Sequence, residues 1–302
     1  MKSKIEVKKT GQLMGHKDAI YCLSQGPEEH LFYSVSGDGQ VIEWNQNDVS
    51  KGKLIAKTTN SIYAIHFDVY SQHLLILENF SGLHIIDVVN KTETKALELS
   101  RVAFFSCVST PNHIYVGSEI GELFIIDKKD YSFKRFLLGN KSIRSILFHE
   151  NQLICGMSDN SIKYISLDGQ LIASFEAHEK SIFALGISKN KNTLLSVSRD
   201  AHIKEWELNT KKIISDVPAH IYPINTISFS PNGEFYATGS MDKTIKIWDS
   251  QTHKLLKVVD KGRNDAHTSS VNSLLWTSYK NQLISCSDDR TIIFWSINIQ
   301  QE

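Results

Sequence analysis

The sequence predicts an all-β protein built as one closed array of seven repeated units. One observation is that a set of four residue types recurs at constant spacing: an Asp follows a His by 22 residues, follows a Ser or Thr by 4, and precedes a Trp by 6. A second is that apolar runs of strand length alternate with turn signals at a period of about 40 residues, which divides the 302-residue chain into seven units. This period favours a single repeat domain, residues 1–302, over two unrelated domains.

The recurring set occurs in full four times, and its chemistry predicts a structural role. The four sets are His16, Ser34, Asp38 and Trp44; His178, Ser196, Asp200 and Trp206; His220, Thr238, Asp242 and Trp248; and His267, Ser285, Asp289 and Trp295. In each set the Trp indole N–H can donate to the hydroxyl, the hydroxyl to one His nitrogen, and the other His N–H to the Asp carboxylate. A buried chain of this kind satisfies every member and fastens the loop that carries the His to the turn that carries the Asp.

These sets resemble the structural tetrad of the WD-repeat (WD40) β-propeller family. A Gly-His or Ala-His pair opens each complete unit and a Trp closes it, although only Trp248-Asp249 is a literal Trp-Asp pair. The resemblance implies a seven-bladed β-propeller of four-stranded antiparallel blades, closed by the N-terminal strand at residues 4–9, which completes the last blade and leaves no free sheet edge there. The blades are expected near residues 10–58, 59–99, 100–138, 139–176, 177–217, 218–260 and 261–302.

The strands of the complete units follow from local pattern. Residues 4–10 alternate between apolar and polar side chains, as a short strand does. In the first unit, the run Ser36-Gly37-Asp38-Gly39 marks a hairpin turn between strands at residues 31–35 and 41–44. The fifth, sixth and seventh units are equally regular, except that residues 261–265 are inserted before the last His.

The second, third and fourth units have lost most of the set but retain legible strands. For the second and third units the strands are predicted at residues 62–67, 74–77, 83–87, 102–107, 113–116 and 122–127. Ile86 and Ile126 stand at the Trp positions, and Phe80 and Ile120 at the Asp positions. The fourth unit keeps Asp159 alone. We expect apolar packing to replace the hydrogen bonds here, because losing all partners together costs little stability.

Charge, cysteine spacing and the chain start exclude several classes of function. The chain carries 33 basic and 33 acidic residues, so it lacks the broad positive field that nucleic-acid or membrane binding uses. Cys22, Cys107, Cys155 and Cys286 lack the spacing of a zinc site and are expected to be small core residues. Without an apolar leader at the start or an apolar run of about 18 residues, we expect a cytoplasmic protein that does not contact membranes.

The tetrads contain Ser, His and Asp, which invites comparison with a nucleophilic triad. Four copies argue against it, because a catalytic site is needed once whereas a fastener is needed in every blade. We therefore predict no catalytic residue, and the His spacing predicts no metal and no cofactor. Two alternatives stay open: an enzyme built on a propeller, and a subunit of a nucleic-acid-associated complex.

The resemblance also implies which residues surround the central channel. One ring lies five residues after each tetrad His, or at the matching strand position in the units without one, and comprises Tyr21, Tyr63, Ala103, Arg144, Phe183, Asn225 and Asn272. The other, just before each tetrad Asp, comprises Gly37, Asn79, Glu119, Ser158, Arg199, Met241 and Asp288. Interfaces favour aromatic residues, Arg and Met, so the candidate binding residues are Tyr21, Tyr63, Arg144, Phe183, Arg199 and Met241. The predicted function is a non-enzymatic scaffold, a monomer within a larger complex, that binds a peptide or protein on the face of the tetrad loops, with residues 261–265 as a polar rim.

Overall fold

Seven four-stranded antiparallel sheets form the fold, as predicted. The computed structural model describes residues 4–188 and 192–300, so residues 301 and 302 of the predicted last blade lie outside the described part. The first strand of each sheet contacts the first strands of both neighbouring sheets, and this chain of contacts closes on itself. The molecule is therefore a seven-bladed β-propeller whose innermost strands surround a central channel.

The strand bounds are as follows, in chain order. The N-terminal strand is β1 (Lys4–Met14). Blade one contains β2 (Ile20–Gln25), β3 (Leu31–Ser36), β4 (Gln40–Asn45) and β5 (Asp48–Lys57). Blade two contains β6 (Ile62–Asp68), β7 (His73–Glu78), β8 (Gly82–Asp87) and β9 (Thr92–Glu98), and blade three contains β10 (Phe104–Ser109), β11 (His113–Ser118), β12 (Glu122–Asp127) and β13 (Phe133–Leu137).

The remaining blades repeat the pattern. Blade four contains β14 (Ile143–His149), β15 (Gln152–Met157), β16 (Ser161–Ser166) and β17 (Leu171–Glu176). Blade five contains β18 (Ile182–Ser188), β19 (Thr193–Ser198), β20 (His202–Glu207) and β21 (Ile213–Pro218), and blade six contains β22 (Ile224–Phe229), β23 (Phe235–Ser240), β24 (Ile245–Asp249) and β25 (Leu255–Val259). Blade seven contains β26 (Val271–Trp276), β27 (Gln282–Ser287) and β28 (Thr291–Gln300), with α1 (Lys261–Asn264) before it and a 3-10 turn at Tyr279–Asn281.

The N-terminal strand closes the ring, which confirms the expected closure. β1 is the outermost strand of blade seven and pairs antiparallel with β28, from Lys4 opposite Gln300 to Met14 opposite Thr291. The strand is longer than the predicted residues 4–9, because β28 continues past Trp295 and offers backbone partners along its whole length. The last blade is thus assembled from both ends of the described chain.

The hydrophobic core is divided among the interfaces between blades. Seven clusters of buried apolar side chains occupy the described residues, one between each pair of adjacent blades. Middle strands such as β3 and β7 are buried at nearly every position because both of their faces are covered. This explains why the sequence of such strands departs from apolar-polar alternation.

Apolar residues fill the tetrad positions of blades two and three. Ile76 and Ile86 in blade two, and Val116 and Ile126 in blade three, are all buried at the positions of the hydroxyl residue and the Trp. Because no polar group remains in these places, none needs a hydrogen-bond partner. Apolar packing therefore substitutes for the network at these four positions.

Blade two nevertheless keeps a polar fastener that the sequence pattern did not predict. The buried Glu78 carboxylate accepts hydrogen bonds from the backbone N–H groups of Thr59 (3.0 Å) and Asn60 (2.9 Å), in the loop that enters this blade. His84 Nε2 lies 2.9 Å from the other oxygen of Glu78. In blade two, a carboxylate on β7 therefore fixes the entering loop in addition to the apolar packing at the tetrad positions.

A second buried carboxylate joins blades two and three at the opposite end of the channel. Asp68, at the end of β6, is fully buried and lies 2.5 Å from the ammonium group of Lys128. It also accepts hydrogen bonds from Ser109 (2.9 Å) on β10 and from Ser71 (2.5 Å), and Ser109 in turn lies 3.0 Å from His66 Nε2. We call Asp68, Lys128, Ser109, Ser71 and His66 the Asp68 clamp.

Helix is nearly absent from the described residues. The α-helix has 4 residues and the 3-10 turn has 3. Within residues 4–188 and 192–300, neither is long or apolar enough to cross a bilayer. The four cysteines are free: Cys155 and Cys286 are buried, whereas Cys22 and Cys107 are half-buried on innermost strands.

Candidate functional site

The four tetrads form the same chain of hydrogen bonds in blades one, five, six and seven. The Trp indole nitrogen donates to the Ser or Thr hydroxyl over 2.8–2.9 Å. The hydroxyl lies 2.7–2.8 Å from His Nε2, and His Nδ1 lies 2.8–3.2 Å from the nearer Asp oxygen. A neutral His that carries its proton on Nδ1 satisfies every contact, so each tetrad fastens its loop to its turn.

The electrostatics of the tetrads match this structural role. Burial alone would raise the pKa of Asp200, Asp242 and Asp289, but hydrogen bonds from the partner His and from neighbouring groups hold it well below the ordinary value. Burial lowers the pKa of His220, against the opposing effect of Asp242. Each carboxylate is therefore ionised at neutral pH, and it orients the ring that faces it.

Replacing His220 with Ala should lower the free energy of unfolding by about 1 to 3 kcal/mol, because Thr238 and Asp242 lose a partner in a buried place. Urea unfolding of the purified protein measures this. His30→Ala is the control, since that ring is partly exposed and pairs only weakly with exposed Glu28. Loss of partner binding by His220→Ala at unchanged stability would contradict the structural role.

The same hydroxyl groups are unsuited to nucleophilic catalysis. Ser34, Ser196, Thr238 and Ser285 have 0% exposed surface, so no substrate reaches them without unfolding the blade. Within residues 4–188 and 192–300, no group of three or more His, Cys, Asp or Glu side chains is arranged to hold a metal ion.

The innermost strands present one bulged residue each at the mouth of the channel. In all seven of these strands the pairing register skips a single residue near the start of the strand. The bulged residues are Tyr21, Tyr63, Phe105, Arg144, Phe183, Asn225 and Asn272. They form the first ring, on the face that carries the tetrad loops.

The sequence prediction of this ring was wrong in blade three, where Phe105 takes the place assigned to Ala103. Blades two, three and four have no tetrad His from which to count and were aligned by strand pattern, and in blade three this alignment was displaced by two residues. A usable signal was present: Phe104-Phe105-Ser106 repeats the order of a buried apolar residue, an aromatic and a small residue seen in Ile62-Tyr63-Ala64. The structure places Ala103 in the preceding loop, where it is buried.

The second ring lies on the turns between the second and third strands. The backbone N–H of each of its seven members donates to the carbonyl two residues before the bulged residue of the same blade, as Glu119 does to Ala103 (2.8 Å). The members are Gly37, Asn79, Glu119, Ser158, Arg199, Met241 and Asp288. This repeated hydrogen bond fixes each turn to the start of the innermost strand of its blade, beside the channel mouth.

A cavity of about 650 Å³ opens between the two rings. Five of the candidate binding residues line it: Tyr21, Tyr63, Arg144, Phe183 and Met241. Arg199 is exposed on its turn but is not among the lining residues. Phe80, Phe105, Glu119 and Asp288 also line the cavity and were not candidates.

Contacts among the bulged residues create a continuous arc across blades one to five. The Tyr21 and Tyr63 rings meet edge to face at 4.7 Å, and Tyr63 stacks on Phe105 at 5.7 Å. The Arg144 guanidinium lies 4.0 Å from the centre of the Phe105 ring and 4.8 Å from that of Phe183. We call these five residues the aromatic arc.

Blades six and seven complete the ring with amides whose hydrogen bonds are made within the protein. The Asn225 amide donates to Ser270 Oγ (2.9 Å) and to the Val271 carbonyl (3.0 Å). The Asn272 amide donates to the Ile20 carbonyl (3.0 Å) and to Asp288 (2.7 Å). The ring is therefore divided into an aromatic side and a polar side that is already hydrogen-bonded.

The inserted segment at residues 261–265 does not rim the cavity, contrary to the prediction. Lys9 on β1 donates to the Asp265 carboxylate (2.7 Å) and carbonyl (2.9 Å), and the Asn264 amide donates to the Val7 carbonyl (3.4 Å). These bonds hold α1 against the outermost strand of blade seven, because β1 is added on that side. The segment supports the closure of the ring instead.

The four blades with complete tetrads are also the blades that match a known family of repeats. The family model described as "WD domain, G-beta repeat" matches residues 7–45, 169–207, 211–249 and 260–296, which contain the four tetrads. The chain also resembles a solved structure, the WD40 β-propeller domain of Doa1, with a TM-score of 0.82, 19% identity, and coverage of 98% of this chain and 97% of that one. This likeness shows the fold.

Several curated proteins are related in sequence. Human striatin-3 is 31% identical over 220 residues, covering 69% of this chain and 23% of that protein, and human striatin-4 is 23% identical over 215 residues, covering 68% and 24%. Apoptotic protease-activating factor 1 of Danio rerio is 23% identical over 223 residues, covering 70% and 17%. The chain thus spans less than a quarter of the length of these relatives. Since the matched repeats make up slightly more than half of the chain, it belongs to the WD40 family, whose propellers generally serve as protein-interaction scaffolds.

Proposed function

We propose that the protein is a non-enzymatic scaffold that binds a peptide segment of a partner protein at the channel mouth, on the face of the tetrad loops. The observation that carries this proposal is the aromatic arc. Its five side chains are half-buried, so they are held in place by the blades and still present surface to the cavity. Rigid aromatic and Arg side chains at a concave centre are what binding hot spots favour.

Exposed apolar side chains on the turns of blades two and three extend this surface, with Phe80 in the lining of the cavity and Ile120 outside that lining. Phe80 is 57% exposed and Ile120 is 43% exposed, and both stand where complete blades carry the tetrad Asp. Because these blades have no tetrad His, neither position needs an Asp to bind one. An apolar side chain can therefore stand there and contact a partner. Met241, which is 45% exposed, adds an apolar contact on the side of blade six. Exposed apolar groups gathered at a cavity favour protein binding.

Photo-crosslinking locates the partner. A benzophenone side chain placed at Tyr63 should crosslink to the partner protein in extracts of the organism that encodes the chain, whereas the same group at Ile214, on outer strand β21, should not. The crosslinked segment is then identified by mass spectrometry and synthesised. Crosslinks from Ile214 and none from Tyr63 would place the partner on the blade edges and refute the proposed site.

Tyr21→Ala combined with Phe183→Ala should weaken binding of the synthesised segment by about tenfold to a hundredfold, because the change removes two anchors of the arc. Isothermal titration calorimetry measures the Kd. The control is Ile172→Ala combined with Ile214→Ala, which removes similar exposed apolar surface from outer strands. If the control pair weakens binding and the arc pair does not, the docking site is elsewhere.

A further inference from the structure

Arg144 is the cation of the aromatic arc, and its hydrogen-bonding groups are unused. Within residues 4–188 and 192–300, its guanidinium contacts two aromatic rings and has no acceptor within hydrogen-bond or ion-pair distance. An arginine carries five N–H donors arranged in one plane. A half-buried guanidinium that lines a cavity and has five unused N–H donors can receive an acceptor from outside the chain.

The flanking rings decide how an acceptor can approach. The guanidinium carbon of Arg144 lies over the Phe105 ring at 4.0 Å and over the Phe183 ring at 4.8 Å from their centres, so both rings shield it in part. The N–H groups lie along the edge of the guanidinium plane, and those that are not directed at the rings can reach a ligand in the cavity. Two parallel N–H groups on such an edge match the two oxygens of a carboxylate.

The charge state of Arg144 suits this role. Burial lowers the pKa of the guanidinium, whereas Tyr63 and Glu119 act in the opposite direction. An arginine stays protonated at neutral pH in proteins because its ordinary pKa lies above about 12. The cavity therefore contains a permanent positive charge that the protein has desolvated in part and has not paired.

We propose that Arg144 receives the side-chain carboxylate of an Asp or Glu in an extended peptide segment of the partner, with a large apolar residue beside that acid resting on Phe80. This inference rests on the proposed function and names the chemistry of the ligand. Phe80 lines the same cavity and is 57% exposed, so an apolar neighbour of the acid finds a surface next to the arc.

A singly charged carboxylate fits this cavity better than a phosphate. Glu119 and Asp288 line the same space, whereas Arg144 is the cation among the described lining residues. A phosphoryl group carries a charge of about −1.5 to −2 at neutral pH, so Glu119 and Asp288 would repel it more strongly than they repel a carboxylate. A positively charged peptide side chain would bind Glu119 and Asp288 instead of Arg144, and stronger retention of the Arg pool described below would overturn the proposal.

Four pools of blocked heptapeptides test the proposal. Each peptide is acetylated and amidated, has a fixed central residue (Glu, Gln, phosphoserine or Arg) and has uncharged residues elsewhere. We expect immobilised wild-type protein to retain the Glu pool about tenfold more than the Gln pool, as a charge-assisted hydrogen bond implies. Sequencing of the retained Glu peptides should show apolar residues enriched beside the Glu.

Two variants with opposite expected effects on retention of the Glu pool separate recognition from folding. Arg144→Met keeps much of the apolar stem and should reduce retention of the Glu pool to that of the Gln pool. Glu119→Gln keeps a side-chain carbonyl for its contact with the Ala103 backbone N–H and should raise retention of the Glu pool about twofold, because a repelling charge is lost. Thermal unfolding of both variants is recorded alongside, and the effect of Glu119→Gln does not depend on Arg144→Met being folded.

The outcomes are distinct. Equal retention of the Glu and Gln pools by the wild type, or a preference for Glu that survives Arg144→Met, overturns the proposal. Stronger retention of the phosphoserine pool assigns the site to a phosphorylated segment and also overturns it. If Tyr63 crosslinks to the partner while the Glu pool shows no preference, the scaffold function stands and only the carboxylate assignment fails.

Discussion

Deletion of residues 1–9 is expected to lower the midpoint of thermal unfolding by about 10 °C, because strand β1 supplies part of the last blade. Ile5 and Val7 are buried in the cluster between blades six and seven, and two buried aliphatic side chains contribute about 3 to 6 kcal/mol. In a domain of this size each kcal/mol corresponds to about 2 to 4 °C. The deletion also leaves the outer edge of β28 unpaired over the same stretch, which favours aggregation.

Differential scanning calorimetry of the truncated protein measures the effect. The matched control is the full-length chain with Glu6→Gln and Lys8→Gln, because these two side chains are exposed on the same strand. The control should unfold near the wild-type midpoint. A truncated protein that unfolds cooperatively at the wild-type midpoint would mean that β1 pairs with β28 without stabilising the ring.

Replacement of Asp68 with Ala is expected to cost about 3 to 5 kcal/mol, because it leaves the ammonium group of Lys128 without its carboxylate in a largely buried place. Burial alone would raise the pKa of Asp68, but hydrogen bonds from Lys128, Ser71 and Ser109 hold it below the ordinary value. The contribution of the carboxylate to stability is therefore present above pH of about 4 and is lost as the pH falls through the lower pKa of the folded state.

Urea unfolding at several pH values measures this contribution. The difference between wild type and Asp68→Ala should be largest at neutral pH and should shrink in acid. The double variant Asp68→Asn with Lys128→Gln should cost less than Asp68→Ala, because the charges are then removed together. Asp130→Ala is the surface control, since that carboxylate lies in an exposed turn. A cost of less than about 1 kcal/mol for Asp68→Ala, which is the size of a surface salt bridge, would show that the Asp68 clamp is dispensable.

Sequence spacing predicted the fold well because the features that specify it are local. Each tetrad spans one blade, with 22 residues from His to Asp, so its geometry follows from strand length and turn chemistry within a single unit. Four of the seven bulged residues, Tyr21, Phe183, Asn225 and Asn272, could be placed by counting from the tetrad His. In the three units without that His the strands were matched by pattern, which placed Tyr63 and Arg144 correctly but put Ala103 where Phe105 stands.

The candidate site depends more on contacts between blades. Tyr63 stacks on Phe105 of the next blade, and the guanidinium of Arg144 on the following blade contacts the rings of both Phe105 and Phe183. Residue spacing placed Tyr63, Arg144 and Phe183 near the channel as separate candidates, but it contained no sign that the guanidinium would contact two aromatic rings and be left without an acceptor. That arrangement depends on how far each blade is rotated relative to its neighbour.

By itself, the sequence determined the repeat, the number of blades and the four tetrads, since each is written in short-range patterns of strand and turn. The closure by β1, which pairs Lys4 with Gln300, was expected from the resemblance to the propeller family. Tertiary structure alone decided the contacts of Arg144 with two aromatic rings, the position of α1 against β1 and the Asp68 clamp. In these three cases the partners are far apart in the sequence: Asp68 meets Ser109 across 41 residues, and Lys9 meets Asp265 across 256. Such pairs form only after the blades have packed, because the geometry of the ring, and not the pattern of any one strand, brings them within bonding distance.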